Sequence, residues 1–128
     1  TPGIHMAYML LIHEPVGQRA ARTDAQGRAA YAAMVAFGER IAVRGQLKAV
    51  ASLAGLDTAV RVSHADGQPT TLDGPFAEAK EMVGGFFLLQ NVTRDEALAY
   101  AHACPAAQWC TVEVRALAPC FEGSAADR

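Results

Sequence analysis

Asp73 opens the tetrapeptide Asp73-Gly74-Pro75-Phe76, in which a carboxylate precedes one residue that permits unusual backbone angles and one that stiffens the exit. A carboxylate fixed by rigid neighbours at the rim of an apolar cleft is how a general base or an orienting acid is presented. Lys80, a little further along, would supply an electrostatic partner. His13, at the end of an apolar run near the start, would complete an acid/base pair, because an Asp bonded to imidazole fixes its tautomer and raises its basicity. The same four residues also spell a plain turn, with Asp73 bonding neighbouring backbone and Phe76 anchoring the loop in a core. Trp109, the single tryptophan, either lines such a cleft with Gly74, Pro75 and Phe76 or serves as a core anchor.

The other histidines offer less. His64 falls in a hairpin, and His102 falls in the last turn of a helix, where a positive side chain complements the negative end of the dipole. Histidines scattered in this way, without carboxylates at ligand spacing, predict no metal site, and the acid/base chemistry above needs no cofactor. Cys104, Cys110 and Cys120 are odd in number and lack Cys-x-x-Cys spacing, so reduced, structural thiols are expected. Gly84-Gly85 has neither the strand-to-helix setting nor the Lys-Ser/Thr sequel of a phosphate loop, and predicts a bulge or a close backbone approach.

The bulk numbers set the scale. A chain of 128 residues suits one domain. Its hydrophobic fraction of 52% and charged fraction of 19% fit a protein that hides more surface than a monomer of this size would. Net charge is -2, with 11 basic and 13 acidic residues spread along the chain, so there is no polyanion-binding signature and no nucleic acid is expected. No stretch approaches a membrane span and no secretory pattern opens the chain, which reads as cytoplasmic. Residues 1–5 precede Met6, where a reading frame could begin, and are set aside as added or disordered residues; the domain is expected over 6–118, with a frayed polar tail at 119–128.

The elements that must position these residues follow from pattern. Met6 to Pro15 is a compact apolar run closed by Glu14-Pro15, hence a first strand. A polar connector leads to a helix started by the capping box Thr23 and Gln26, with Tyr31, Met34, Val35, Gly38, Ile41 and Ala42 on one face and Gly45 as its stop. An edge strand from Gln46, a hairpin turning at Asp66-Gly67, and a buried strand from Met82 to Val92 come next, with one helical turn possible over 77–81. Thr93 and Glu96 cap a second helix that stops at Cys104-Pro105, and Cys110, Val112 and Val114 mark the last strand.

Strand, helix, strand, hairpin, strand, helix, strand is the order of an α+β, ferredoxin-like split β-α-β protomer with an inserted β-hairpin. Its central strands are apolar on both sides: Tyr8, Leu10 and Ile12 oppose Ala7, Met9 and Leu11, while Phe86 and Leu88 oppose Phe87 and Leu89. Two helices cover only one face of such a sheet. A homodimer that joins the bare faces is therefore expected, with a cleft at its interface.

"DGPFAEAKEMVGGFFLL", with "AYMLLIHEP" before it and "DEALAYAHACPAAQWCTVEVRAL" after it, resembles the YCII-related proteins of the DGPF group from about Met6 to about Ala118. Asp73, Gly74, Pro75 and Phe76 match the tetrapeptide; Lys80 matches the lysine of the Glu-x-Lys-Glu step, with Ala79 where a threonine is usual. The resemblance implies a dimeric α+β barrel of small bacterial cytoplasmic proteins, mostly without an assigned activity and often encoded near sigma factors. Distant relatives use a His-Asp pair, and one branch removes chloride from chlorinated hydroxyquinones. Two functions are thus expected side by side: a cofactor-independent small-molecule enzyme using Asp73, His13 and Lys80, or a ligand-binding or regulatory module acting with a protein such as a sigma factor.

Overall fold

The structure, a computed structural model, describes residues 3–121. Of the expected leader and tail, residues 1–2 and 122–128 lie outside the described residues. Strands β1 (Met6–Pro15), β2 (Leu47–Ser52), β5 (Glu81–Val92) and β6 (Thr111–Ala116) form an antiparallel sheet in the order β2-β5-β1-β6. The two strands that are apolar on both sides, β1 and β5, occupy the centre, where both faces need cover. Between β2 and β5 the chain makes a separate hairpin of β3 (Val60–Ala65) and β4 (Gln68–Asp73). Asp66 and Gly67 turn it with φ of 51° and 77°, the paired positive angles that a two-residue hairpin turn demands.

Helices α1 (Gln18–Ala21), α2 (Asp24–Ala42) and α3 (Arg94–Ala103) complete the fold. Both long helices begin in reciprocal capping boxes: Thr23 with Gln26, and Thr93 with Glu96. Gly45, at φ 72°, lets the chain leave α2 while its N–H bonds the Ala42 carbonyl. Gln46 then joins the helices to the sheet: its amide nitrogen donates to the Asn91 carbonyl, and its oxygen accepts from the Tyr100 hydroxyl. No described helix is long and apolar enough to cross a membrane.

The core lies between α2, α3 and one face of the sheet, around Leu10, Phe37, Ile41, Leu89, Val92 and Cys104. Phe37 meets Phe87 edge to face at 5.1 Å between centroids, and Gly38 brings the helix down on the same ring, where a β-carbon would stand 3.3 Å away. The expected helix face needs correction here. Phe37 is 2% exposed, whereas Tyr31 and Val35 are 63% and 42% exposed and Ala42 is also exposed. The reason is that α2 from Ala30 to Glu39 borders an open cavity, and Tyr31 and Val35 line it instead of packing on the sheet.

Two further departures are local. The polar connector after β1 contains α1, and the helical turn expected over 77–81 shrinks to one bond from the Ala79 N–H to the Phe76 carbonyl before β5 begins at Glu81. On the far side of the sheet, Ala7, Met9, Leu11, Phe86 and Leu88 are half-buried in the single chain, with no helix over them among the described residues.

Candidate functional site

The cavity measures about 540 Å³, and its walls are α2 from Ala30 to Glu39, α1, the β1-β5-β2 surface beneath them, and the segment from Ala106 to Cys110. Ile12, Met34, Val50, Phe87 and Trp109 make it predominantly apolar. Size and lining are those of a small-molecule site. Among its lining residues is Glu14, 7% exposed, the next inward position after Tyr8, Leu10 and Ile12. Arg19, carried by α1, closes a two-pronged bond on it: Nε donates to Oε2 at 2.9 Å and Nη2 to Oε1 at 2.7 Å. A carboxylate so placed requires such a partner, because an isolated buried charge costs several kcal/mol.

Gly84 makes the room. Pairing between β1 and β5 runs Ile12 to Gly85 and then His13 to Val83, so Gly84 is the extra residue of a bulge, and a β-carbon on it would collide with Glu14 Oε1. A β-carbon on Gly85 would stand 2.6 Å from the Ala51 carbonyl oxygen. The glycine pair thus serves both a bulge and close backbone approach, one making way for the acid and the other for β2.

Arg22 lines the same cavity. Its guanidinium lies over the Trp109 ring, 5.5 Å from the centroid, and donates to Gln18 Oε1 at 3.2 Å. Gln18 is fixed in turn by donating its amide to the Trp109 carbonyl at 2.8 Å, while its oxygen also accepts from the Cys110 thiol at 3.4 Å. Burial first, and the Glu14 carboxylate second, push the Cys110 thiol up to about 11. Cys110 is therefore protonated at neutral pH and is no nucleophile. Burial likewise raises the Cys104 thiol.

The residues singled out from the sequence are distributed differently. Asp73 ends β4 opposite Val60, exposed on the hairpin, and among the described residues its carboxylate makes no hydrogen bond with His13. Gly74 is a packing wedge, since a β-carbon there would collide with the Leu56 carbonyl oxygen while its N–H bonds the Ala59 carbonyl at 2.7 Å. The Gly74-Pro75 bond is cis. Phe76 is buried beneath Arg61, whose guanidinium sits 3.7 Å above the ring. Lys80 is exposed and contributes its carbonyl, which accepts the Val16 N–H at 2.9 Å. His13 lies with its Nε2 2.5 Å from Glu113 Oε1. Of the predicted residues only Trp109 lines the cavity; Glu14, Gln18, Arg19 and Arg22 were missed. The signal available for Glu14 was its phase, an acid at the fourth inward position of an otherwise apolar strand face.

Among the described residues no cluster of three or more His, Cys, Asp or Glu could hold a metal ion. Fold and cavity together define an α+β protomer of split β-α-β topology with a hollow between its first long helix and its sheet. The chain belongs to the YCII-related domain family, whose model matches residues 6–120. It is also 42% identical over 57 residues to an uncharacterized protein of Rhizobium meliloti (strain 1021), an alignment that covers 44% of this chain and 46% of that one. The chain thus spans about half the length of that curated relative.

Proposed function

We propose that the protein binds a small, largely apolar molecule in the cavity between α2 and the sheet. The observation that carries this reading is an apolar hollow of about 540 Å³ whose lining includes an ion pair, Glu14 with Arg19, and a cation on an aromatic ring, Arg22 over Trp109. The chemistry inside favours holding over transforming: Glu14 has both oxygens occupied by Arg19, and Cys110 keeps its proton.

Trp109, the single tryptophan, gives the test. Titration with phenylnaphthylamine, a neutral apolar fluorophore, is expected to change Trp109 emission in a saturable manner with one probe per chain. Val50→Phe, which places a ring in the hollow from β2, should abolish the effect while leaving the circular dichroism unchanged. A signal that never saturates, or one that Val50→Phe does not alter, defeats the reading.

A second reading, a cofactor-independent enzyme, has one observation in its favour: the His13 imidazole is held by the Glu113 carboxylate, as an acid/base histidine would be. On this reading His13 acts on the uncovered side of the sheet, with Asp73 and Lys80 brought near by a second subunit. The same uncovered side supports a homodimer, since Met9, Leu11, Phe86 and Leu88 would be sheltered by a copy of themselves. Action with a protein partner such as a sigma factor would use the hairpin, where Val60, Val62 and Leu72 are exposed.

A further inference from the structure

Four charged side chains border the cavity: Glu14, Arg19, Arg22 and Glu39. Glu14 and Arg19 neutralise each other through two hydrogen bonds. Arg22 is different. It is half-buried, and among the described residues no carboxylate pairs with it; its one side-chain hydrogen bond goes to the neutral Gln18, and its flat face is spent on Trp109. A guanidinium carries five N–H donors in a planar fork, so most of its donors remain to be satisfied. Gln18, locked by the Trp109 carbonyl, holds that fork in place. Partial burial strengthens any charge that meets it.

Glu39 sets the direction. Along α2 the lining runs from Ala30 to Glu39, a rise of roughly 14 Å. An anion is repelled near Glu39 and attracted near Arg22, while Met34, Val50 and Phe87 of the same lining offer no polar side chain. A cationic head would find only the exposed carboxylate of Glu39. The lining therefore pairs one uncompensated cation, Arg22, with an apolar surface.

We infer that the ligand of this cavity is an apolar monoanion, with its charged head on the Arg22 guanidinium and its apolar body directed along α2. The inference rests on the reading of the cavity as a small-molecule site. It assigns Arg22 as the residue that selects for charge, and Arg19 as one that does not.

A matched pair of probes separates the two layers of the argument. Anilinonaphthalene sulfonate and phenylnaphthylamine share a ring system and differ by one anionic group. With the intact chain, the sulfonate should bind about tenfold more tightly than the neutral probe, the scale of a hydrogen bond to a charged group. In Arg22→Gln the sulfonate should lose more affinity than the neutral probe, so that the ratio falls to near one, and in Arg22→Lys, which keeps the charge without the fork, it should lie between. Circular dichroism reports whether each variant is folded. Equal affinity for the two probes in the intact chain overturns the monoanion while leaving the site standing. A sulfonate preference that survives in Arg22→Gln overturns the assignment to Arg22. Failure of both probes to bind overturns the site, and the inference with it.

Discussion

Glu14 is legible in the sequence only by its phase. Tyr8, Leu10 and Ile12 alternate inward along β1, and continuing that alternation puts an acid where the next apolar residue belongs. Its partner is not legible, because Arg19 reaches back from α1, a single turn of helix inside a segment whose composition reads as connector. Nor is the role of Gly84, which depends on a bulge in the pairing of two distant strands. Arg19→Ala is expected to cost about 3 kcal/mol in denaturant unfolding, since it strands a buried carboxylate. The double change Glu14→Leu with Arg19→Leu should cost clearly less, because it removes both charges; a double variant no better than Arg19→Ala would show that the pair is not what holds this corner. Cys110 makes a prediction by its thiol at about 11: on the order of one thiol in ten thousand is ionised at neutral pH. Iodoacetamide should therefore label the exposed Cys120 first and Cys110 only after unfolding, as peptide mass mapping would record.

At the scale of elements, the strands and the two long helices were readable because each carries its own punctuation. Two capping boxes, the Asp66-Gly67 turn and the Gly45 stop are local chemistry and appear where the residues put them. What eluded the pattern was the cavity under α2: spacing puts Tyr31, Met34, Val35, Gly38 and Ile41 on one face, but Tyr31, Met34 and Val35 line a hollow while Phe37, outside that grouping, is buried with Gly38 and Ile41. The two caps also differ in one atom that matters. The reciprocal bond at α2 is made by an amide, Gln26, and at α3 by a carboxylate, Glu96. The Thr93 backbone N–H, ahead of the Gln46 and Thr93 side chains and opposed by burial, holds the Glu96 carboxyl below its ordinary value of 4.5. A carboxyl lowered on folding contributes stability at pH above that ordinary value and loses it as pH falls through the folded one. Acid should accordingly loosen α3 before α2, seen as earlier loss of amide protection in Arg94–Ala103. Glu96→Gln keeps the cap oxygen but not the titration, and should flatten that difference. Thr23→Ala, by contrast, should cost about 1 kcal/mol at every pH where the protein folds.

The whole molecule poses the problem of an uncovered sheet. Leu10, Leu89 and Phe87 disappear under α2 and α3, while Met9, Leu11, Phe86 and Leu88 on the opposite side pair directly across β1 and β5 with no helix over them among the described residues. Each large apolar side chain left wet forgoes roughly 1.5–3 kcal/mol of burial, so a self-complementary association has a driving force that a polar sheet face would lack. This much was legible from alternation alone, since it needs only the period of a strand and the count of helices. The tetrapeptide Asp73-Gly74-Pro75-Phe76 was harder to judge, because the sequence does not say that Gly74 is wedged against the Leu56 carbonyl and Phe76 pinned under Arg61. Those contacts make it a packing device, whatever else Asp73 does. Sedimentation equilibrium at micromolar concentration should give twice the mass of the chain. Leu11→Lys tests the face at little cost to the fold, because position 11 lies opposite Glu113 on β6, so a lysine there gains a carboxylate neighbour within its own chain. In a dimer the same lysine would be trapped between two apolar sheets. The variant should therefore sediment as a monomer with an unchanged far-ultraviolet spectrum and a thermal midpoint that no longer depends on concentration. An intact chain that is already monomeric, or a Leu11→Lys dimer as tight as the original, would remove the uncovered face from the account of this protein's assembly.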